Sequence, residues 1–564
     1  MYILHSRRLL GHMALMTLGL ALLVQDLRGQ QYTRYLAPEM FTYEELLLLS
    51  QDQELKPDLA EKLKRMTTTP FLSNEAYYRG ARPHLPDIEG VGPSLRLVYW
   101  NIERGIRLDE IKLLFTDKEG FLKEVKDSRA RAAEQKETDS SGQTRDDEQQ
   151  MVFEPIDMAE LAEQIDVFQS ADVIVLNEVD WGMKRSDYRA VIQELGEALN
   201  MNWAYGVEFV EIDPTMLGTD TFESVEDEQE RQELIEHTTV DQERLRALHG
   251  TAILSKYPIR EAELRPFEFQ PYDWFSEEQG LRPGEKGIRA GARVIGEELH
   301  REMRRGGRTT LLVQLDVPDL SDQRLTVLSP HLENRTKPQN RRTQMDEVLR
   351  WVQEITHPVV IAGDLNTTSG DSQAFKLERE LYKKYGETDF WVNKGIKYGT
   401  GVGVVYDVFK WGFNFTKNQS DPTSKHIPFF APNHEEKLFT NLEDFRFADG
   451  RAFDFRGDPQ HTSNRVRGTL ANSNQRAGKG FAHTYEFVIT IGVVGKYKLD
   501  WIFVKSYLEH PRDEGESYRF APHFARTLQS LNFAFGAHTL SDHNPISVDL
   551  PFGEPGNLQE TKDN

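Results

Sequence analysis

The sequence lacks cysteine: none of its 564 residues is one. The protein therefore has no disulfide bonds, no thiolate nucleophile and no cysteine-ligated zinc. The absence does not assign the chain to the cytosol, because a secreted protein of this length can be stable without disulfides. The length suits one large domain with insertions, or two or three domains.

Long hydrophobic runs are also scarce. An apolar run at 13–24 is shorter than the ~18 residues that favour a membrane-spanning helix. It follows the basic pair Arg7 and Arg8 and precedes a loose cleavage site at 27–29. This order predicts a signal peptide at 1–29 and a secreted or periplasmic protein with no transmembrane segment in the mature chain. The alternative is an uncleaved N-terminal segment that tethers the protein to a membrane.

Basic residues are outnumbered. The chain has 68 Lys and Arg against 91 Asp and Glu, a formal net charge of -23 at pH 7. Non-specific nucleic-acid binding relies on Lys and Arg that release counterions from phosphates. We therefore expect no stable nucleic-acid partner. The charge does not exclude an enzyme that acts on DNA through a bound cation.

The composition and the hydrophobic pattern of the sequence change several times along the chain. We predict an N-terminal helical extension and linker at 30–93, one large α/β domain at 94–552 and a polar tail at 553–564. In the extension, Thr42-x-x-Glu45 is a capping box that predicts a helix beginning after Thr42. The large domain carries insertions at about 117–150, 211–247 and 367–490.

Apolar runs in the large domain end in polar side chains. The clearest run, at 358–362, stops at Gly363 and is followed by Asp364 and Asn366. Alternate residues of an extended backbone share a face, so these two side chains point the same way. Further polar ends follow other runs: Asn101, Glu178, His331, Asp500, Asp542 and His543. Taken singly, each suits a turn, a cap or a surface position; together they predict one polar pocket.

Strands alternate with helical patterns, and some strands form hairpins. This predicts an α/β (α+β) sandwich of mixed sheets. We expect a hairpin from 310–317 and 325–329, and helices at 187–199 and at about 339–355. The charged stretch at about 117–150 has little apolar material, which predicts a solvated helix or a partly disordered insertion.

The polar strand ends, with the short words around them, resemble the endonuclease/exonuclease/phosphatase superfamily, the metal-dependent phosphoesterases of the pancreatic-deoxyribonuclease type. The matching words are Trp100-Asn101, Asn177-Glu178, Gly250-Thr251-Ala252-Ile253-Leu254-Ser255, Ser329-Pro330-His331-Leu332, Gly363-Asp364-Leu365-Asn366, Leu499-Asp500-Trp501-Ile502-Phe503 and Ser541-Asp542-His543-Asn544-Pro545. The resemblance implies that 94–552 is a catalytic domain, a four-layer α-β-β-α sandwich with the site at one end of the sheets. It also implies hydrolysis of phosphoesters, above all phosphodiesters, by in-line attack of an activated water.

The residue types also suit that chemistry in their own right. In-line attack gathers negative charge on the phosphate oxygens, and a hard divalent cation with oxygen ligands offsets it. We expect Asn101, Glu178 and Asp542 to be the metal ligands, with Asp542 completing the shell or holding a second ion. Oxygen ligands favour Mg2+, with Mn2+ or Ca2+ as alternatives.

The resemblance implies the remaining catalytic roles. Asp500 and His543 form a dyad in which the carboxylate fixes the imidazole tautomer. Asp364 orients or deprotonates the water, and Asn366 donates to a phosphate oxygen. His331 donates to the phosphate or protonates the leaving oxygen. Whether Asp364 or His543 is the formal base stays open.

Three further side chains are candidate substrate contacts. Arg185 and Tyr188 follow Glu178 and have a place at the mouth of the site, and Arg341 follows His331 in an Arg-x-x-Gln pattern. A solvated loop is an equal interpretation for Arg185, and a role at a helix start is the better one for Arg341.

The substrate class is open between a nucleic acid, a phospholipid headgroup and a small phosphate ester, and between diester and monoester. The aromatic cluster at 272–275 either packs as core or edges the pocket, where it would suit a lipid surface. A rival of a different class is a catalytically silent relative that binds phosphorylated or lipid ligands.

Overall fold

The computed structural model describes residues 31–51, 54–139, 155–223, 227–279, 302–367, 435–456, 484–489, 492–510, 515–522, 524–536 and 538–556. The predicted signal at 1–29 lies outside them, as do most of the predicted insertion at 367–490 and most of the tail. Within the described ranges, no helix combines the length and the apolar character needed to span a bilayer.

The described helices are α1 (Tyr43–Gln51), α2 (Pro57–Thr68), α3 (Glu75–Tyr78), α4 (Leu108–Thr116), α5 (Lys118–Asp139), α6 (Met158–Gln169), α7 (Val191–Leu199), α8 (Glu228–Thr238), α9 (Pro338–Val352), α10 (Glu436–Asp444) and α11 (Gln529–Asn532). The described strands are β1 (Tyr35–Leu36), β2 (Phe71–Ser73), β3 (Asp87–Ile88), β4 (Gly92–Arg104), β5 (Val173–Trp181), β6 (Asn202–Glu211), β7 (Leu248–Ser255), β8 (Ile259–Pro266), β9 (Arg304–Gly306), β10 (Thr309–Asp316), β11 (Arg324–Pro330), β12 (Val359–Asp364), β13 (Tyr485–Ile489), β14 (Gly492–Tyr497), β15 (Asp500–Lys505), β16 (Phe524–Thr527) and β17 (Ile546–Pro551).

Two mixed sheets form the centre of the molecule. The larger has the strand order β1-β2-β6-β7-β5-β4-β17-β16, with β3 beside β4 and β9 beside β6. The smaller has the order β15-β12-β11-β10-β8. The pairs β4–β5 and β11–β12 are parallel. Their carboxyl ends therefore reach the edges of the two sheets together, where side chains from several strands can converge.

The two sheets face each other across an apolar core. Leu97 and Tyr99 of β4 pack in this core with Val360 of β12. The alternate residues Val98 and Trp100 pack in a second cluster on the opposite face of the sheet. Each fully buried aliphatic side chain contributes about 1.5–3 kcal/mol. Burial of both faces explains why the run at 95–100 is almost continuously apolar rather than alternating.

Helices cover the outer face of each sheet. On the larger sheet, α4, α6 and α7 contribute Leu114, Phe168 and Leu195 to the outer cluster. On the smaller sheet, α9 and α10 contribute Val348 and Phe439. The architecture is the predicted four-layer α-β-β-α sandwich.

The N-terminal extension joins the larger sheet. β2 pairs antiparallel with β6, and β1 pairs with β2. The predicted capping box begins α1: the Thr42 backbone N–H donates to the Glu45 carboxylate at 2.8 Å, and the Glu45 N–H donates to the Thr42 hydroxyl at 3.3 Å. The extension therefore adds strands to the edge of the sheet as well as helices.

Several predicted elements are present and one is shorter. The predicted hairpin is β10 and β11, which pair antiparallel, and α9 is the predicted helix at about 339–355. The predicted helix at 187–199 begins only at Val191, because Asp187 and Tyr188 have left-handed backbones with φ of 52° and 57°. A right-handed helix cannot include such residues. The charged stretch at about 117–150 contains α5.

Candidate active site

The predicted polar strand ends meet where the parallel pairs β4–β5 and β11–β12 stop. Nδ2 of Asn101 donates to Oε1 of Glu178 at 3.2 Å and to Oδ2 of Asp364 at 3.4 Å. One buried amide therefore contacts a carboxylate of each sheet. Asn101 is fully buried, and Asp364 is 2% exposed.

Asp500 and His543 lie in contact on one flank of Asp364. The antiparallel pairing of β12 and β15 places Asp500 opposite Asp364. Nδ1 of His543 lies 2.8 Å from Oδ2 of Asp500, and its Nε2 lies 3.9 Å from Oδ2 of Asp364. Trp100 fixes this segment, because its Nε1 donates to the His543 carbonyl at 2.8 Å. The imidazole is thus held by one carboxylate and directed at another.

His331 lies on the other flank of Asp364. Its Nε2 is 3.9 Å from Oδ2 of Asp364, and its Nδ1 is 3.2 Å from Oε1 of Glu208. Nη1 of Arg308 donates to Oε2 of Glu208 at 2.9 Å and lies 2.7 Å from Nδ1 of His331. All of these side chains are buried. Removing one partner of such a buried charged group would leave the others uncompensated, so the group holds His331 in place.

Asn366 and Asp542 are two further predicted site residues that lie next to Asp364 and His543. Asn366 has a left-handed backbone, with φ of 51°, and its N–H donates to Oδ1 of Asp364 at 2.8 Å. Its Nδ2 donates to the Leu332 carbonyl at 2.9 Å. Oδ1 of Asp542 lies 3.9 Å from Nε2 of His543, and its side chain is 25% exposed. Asp542 therefore stands at the solvent-facing rim of the site.

A buried polar network between the sheets supports Asp364. Oδ1 of Asn177 accepts from the Asp364 backbone N–H at 3.1 Å and from the Tyr99 hydroxyl at 2.7 Å. Its Nδ2 donates to the hydroxyls of Thr251 at 2.9 Å and Ser329 at 3.1 Å. Every arm of the amide has a partner, so Asn177 fixes the two sheets relative to each other beside the site.

Glu178 lies at a bulge in β5, and its backbone is left-handed with φ of 53°. Such a conformation costs about 1–3 kcal/mol and persists where the surroundings enforce it, often at functional sites. Burial alone would raise the pKa of Glu178, but the positive charges of Arg104, His249 and His331 bring that pKa well below its usual range. Glu178 is therefore a carboxylate at physiological pH, as a metal ligand must be.

Asp364 and His543 have pKa values shifted upward for different reasons. Burial and the charge of Asp500 raise the pKa of Asp364 to about 6, against the opposing charges of His543 and His331. Burial would lower the pKa of His543, but the charges of Asp500 and Asp542 raise it well above its usual value. Near neutral pH, the site can therefore hold a readily protonated carboxylate beside an imidazolium.

The donor set fits a hard divalent cation. The ligand atoms of Asp364, Asp500 and His543 lie within 4.8 Å of one another, and the imidazole can join this set only in its neutral form. Oδ1 of Asp500 is buried and has no hydrogen-bond partner in the described chain. Such an atom costs about 1–3 kcal/mol unless a donor or a cation satisfies it. The predicted ligands Asn101, Glu178 and Asp542 adjoin this cluster and stay a prediction.

The three side chains predicted as substrate contacts are engaged within the protein. Arg185 is buried and donates to both carboxylate oxygens of Asp180, at 2.7 and 2.9 Å. The Tyr188 hydroxyl accepts a backbone N–H from the segment after α8 at 2.8 Å. Arg341 is fully buried and pairs with Glu435. Substrate contact stays a prediction for all three, and these partners favour structural roles.

The aromatic cluster at 272–275 packs against arginines. Trp274 is buried and donates from Nε1 to Glu333 at 2.9 Å. The guanidinium groups of Arg304 and Arg335 lie 4.7 and 4.5 Å from the centre of its ring. Trp274 therefore packs inside the protein and is not part of an exposed aromatic surface.

Glu208, Arg308 and His249 adjoin the site and were not identified from the sequence. Glu208 lies in β6, whose aromatic and β-branched residues are typical of a strand. A carboxylate within such a strand is seldom buried unless it is paired, and this could have marked Glu208 as a candidate site residue. His249 directly precedes the matching word that begins at Gly250 and has no motif of its own. The role of Arg308 is visible only in its contact with His331, which is 23 residues away in the sequence.

Comparisons with known proteins bear on the family of this chain. The profile of the Endonuclease/Exonuclease/phosphatase family matches residues 99–543. A search of curated protein sequences gives no significant match. Similar solved structures include an endonuclease/exonuclease/phosphatase from Beutenbergia cavernae, with 14% identity, 82% of this chain and 72% of that chain covered, and a TM-score of 0.31.

Two other similar structures are the human Nocturnin catalytic domain and the 3' phosphatase NExo from Neisseria. For Nocturnin the identity is 9%, the coverage 83% of this chain and 98% of that chain, and the TM-score 0.32. For NExo the identity is 10%, the coverage 81% and 99%, and the TM-score 0.34. Because these structural similarities are low, the family assignment rests on the profile match, which includes the site residues from Asn101 to His543. The chain belongs to the endonuclease/exonuclease/phosphatase family.

Proposed function

We propose that this protein is an exported, divalent-metal-dependent hydrolase of phosphoester bonds that acts by in-line attack of an activated water. The observation that carries the proposal is the position of Asp364 between two imidazoles. Nε2 of His331 and Nε2 of His543 each lie 3.9 Å from its Oδ2. A water bound at the carboxylate and a phosphate bound by the imidazoles would lie side by side, as in-line attack requires.

Asn101, Glu178 and Asp542 are the residues that would hold the cation, with Mg2+ as the first candidate and Mn2+ or Ca2+ as alternatives. When bound, the cation offsets the negative charge that gathers on the phosphate oxygens. The ionised state of Glu178 and the amide of Asn101, 3.2 Å away, support this assignment.

Proton transfer falls to Asp364 and the two histidines. Burial brings the pKa of Asp364 to about 6, which suits a group that accepts a proton from water near neutral pH. The raised pKa of His543 favours its cationic form, which donates to a phosphate oxygen. These directions support Asp364 rather than His543 as the base. In this proposal, His331 donates to the phosphate or protonates the leaving oxygen.

The substrate we propose is a phosphodiester in a small molecule, a nucleic acid or a lipid headgroup. The net charge of -23 gives little support to a stable nucleic-acid complex. The burial of Trp274 and Phe275 gives little support to membrane contact through the cluster at 272–275. Export rests on the signal-like segment at 1–29.

One substrate panel tests the proposal. Bis(p-nitrophenyl) phosphate, plasmid DNA, RNA, sphingomyelin and inositol phosphates are each incubated with the protein in magnesium and in chelator. We expect turnover of at least one substrate, loss of turnover in chelator and recovery when magnesium is restored. Asp364→Asn should lose this activity, whereas the matched change Asp319→Asn at an exposed loop should keep it. Binding without turnover in Mg2+, Mn2+ and Ca2+ would instead favour a silent relative.

A further inference from the structure

One flank of the site is filled by buried side chains that join the two sheets. Glu208 belongs to β6 of the larger sheet, and Arg308 directly precedes β10 of the smaller sheet. Nη1 of Arg308 donates to Oε2 of Glu208 at 2.9 Å. Arg308 is 2% exposed and Glu208 is fully buried, so this ion pair closes the gap between the sheets below the solvent-accessible surface.

The ion pair begins directly beside the centre of the site. Nη1 of Arg308 lies 2.7 Å from Nδ1 of His331, and Nε2 of the same imidazole lies 3.9 Å from Oδ2 of Asp364. A single imidazole therefore separates the central carboxylate from the closed flank. Any part of a substrate that extends from Asp364 in this direction meets the ion pair one ring width away.

Aromatic and charged side chains fill the space next to this ion pair. Trp274 is 2% exposed and donates from Nε1 to Oε2 of Glu333 at 2.9 Å. The Arg304 guanidinium lies 4.7 Å from the centre of the Trp274 ring and 5.1 Å from the centre of the Phe209 ring. The loop after β11 supplies Glu333, and β6 supplies Phe209. These contacts therefore also join the two sheets.

A carboxylate bridge crosses the mouth of the cleft on the same flank. Glu302 accepts from Nη2 of Arg104 at 3.0 Å and from Nη2 of Arg335 at 3.0 Å. Arg104 ends β4 of the larger sheet, and Arg335 lies in the loop after β11 of the smaller sheet. The side chains of Arg104 and Glu302 are 26% and 24% exposed, so the bridge lies at the solvent-facing edge. We refer to the pair Arg308–Glu208 and this bridge together as the ionic wall.

The arginines of the ionic wall already have carboxylate partners. Arg308 pairs with Glu208, while Arg104 and Arg335 share Glu302. A nucleic-acid chain binds through successive phosphates that Lys and Arg side chains neutralise. A phosphate on this flank would have to separate one of these pairs and leave its carboxylate uncompensated. The flank therefore excludes a further phosphate by its charge as well as by its volume.

The opposite side of the site is more accessible. Asp542 lies beyond His543, and its side chain is 25% exposed. A phosphodiester within a long chain carries a further nucleotide on each side, so the chain has to leave the site in two directions. The ionic wall closes one of them.

We propose that the ionic wall restricts the site to phosphodiesters that end within one small group on one side. The inference rests on the proposed function and narrows its substrate class. Small diesters and the terminal diesters of a chain share the chemistry that fits. The internal bonds of a long nucleic acid do not share it, because they continue past the scissile phosphate on both sides.

Three substrates with the same linkage separate these sources. Thymidylyl-thymidine is a small diester, a linear DNA duplex with single-stranded ends supplies terminal diesters, and a DNA dumbbell closed by a hairpin loop at each end supplies only internal ones. The full chain is incubated with each in magnesium, and calorimetric titration measures the affinity for any ligand that is not cleaved. We expect cleavage of the dinucleotide or the linear duplex, with a rate per bond at least about 100-fold lower for the dumbbell. The preferred substrate identifies the source.

Glu302→Ala removes the bridge and leaves the proposed catalytic residues unchanged. In this variant the rate on the dumbbell, relative to the preferred substrate, should rise by about tenfold because the mouth of the cleft is no longer bridged. The matched control is Glu354→Ala, which removes an exposed carboxylate just after α9 and should keep the wild-type ratio.

Dumbbell cleavage within about tenfold of the preferred substrate, per bond, would overturn the substrate class and leave the proposed function standing. An unchanged ratio in folded Glu302→Ala would also overturn it, and if that variant does not fold, the wild-type comparison decides. Selective binding of the dinucleotide or the linear duplex, without hydrolysis of any phosphoester, would support the class and refute the proposed function. Neither binding nor cleavage of all three would overturn the class, and the substrate panel then decides the proposed function separately.

Discussion

Asp500 controls His543 through one contact, the 2.8 Å between its Oδ2 and Nδ1 of the imidazole. The free Oδ1 of the same carboxylate is buried without a hydrogen-bond partner in the described chain. A positive charge on His543 or a bound cation therefore helps to compensate for the burial of Asp500. This dependence makes the protonation state of His543 a direct report on Asp500.

In metal-free protein, we expect the His543 imidazole to stay protonated well above the pH at which an ordinary histidine titrates, because the charges of Asp500 and Asp542 outweigh burial and raise its pKa. In Asp500→Asn that pKa should fall towards or below about 6.5, since the neutral amide no longer offsets the burial. Carbon–proton NMR of the imidazole in chelator measures both titrations. The exposed change Asp319→Asn is the control, and identical titrations in wild type and Asp500→Asn would refute this view of the pair.

Residues whose role follows from their neighbours in the sequence could be predicted. Residues whose role depends on contacts with distant parts of the chain could not. Asp364 and Asn366 directly follow an apolar run, so their shared direction follows from strand geometry. Glu208 is 123 residues from His331, and His249 is 69 residues from Asp180. No local pattern encodes pairings over such separations, which arise only when β6, β7 and β5 assemble.

At the scale of elements, the sequence predicts buried apolar strands and helix caps, but it does not predict turns with left-handed backbones. The capping box at Thr42 is local chemistry and is present in full. The start of α7 was set too early because Asp187 and Tyr188 are ordinary helix residues by composition, yet they turn the chain with positive φ. The strand β6 was not predicted, although its aromatic and β-branched residues favour a strand.

The connection between α9 and β12 carries a pH-sensitive histidine. Burial, with the charge of Arg324, lowers the pKa of His357 to about 4. An unfolded histidine titrates near 6.5. Between pH 6.5 and pH 4 the unfolded chain therefore binds a proton that the folded chain refuses, and the free energy of unfolding contributed by this group falls as the pH falls through that window.

His357→Gln removes that titration. We expect the variant to lose about 1 kcal/mol less of its free energy of unfolding between pH 7 and pH 4.5 than the wild type, a value reduced for partial exposure of the ring. Urea denaturation at the two pH values measures the difference. Equal losses in the two proteins would show that His357 titrates normally in the folded state.

For the whole molecule, a surplus of acidic residues surrounds a site built from carboxylates. The formal net charge is -23, and Asp364, Asp500 and Glu178 lie close together at the site. A cation that binds only the folded chain stabilises it by mass action, by about 2.7 kcal/mol at a concentration one hundred times its dissociation constant. Metal binding should therefore be visible in the stability of the entire chain.

We expect saturating magnesium to raise the thermal unfolding midpoint of the wild type by a few degrees, measured by scanning fluorimetry against chelator. Glu178→Gln should reduce the increase, because it removes a carboxylate ligand. The His357→Asn variant should show the full increase. An equal increase in wild type and Glu178→Gln would mean that the stabilising ion binds elsewhere.

The fold class was predictable at this scale because alternating strands and helices allow few architectures. The strand order was not, since β17 reaches β4 from the opposite end of the large domain. That pairing brings His543 to Asn101, and the family resemblance rather than any pattern of periodicity anticipated it.

Turnover of a bis-aryl phosphodiester in magnesium by Glu178→Gln and His543→Asn, each verified as folded by circular dichroism, tests the central claim most directly. The metal site and the imidazole beside it predict a fall of about 10²–10⁴-fold in kcat/KM for each variant, with His357→Asn matching the wild type. Rates within about tenfold of the wild type in both folded variants would contradict the account.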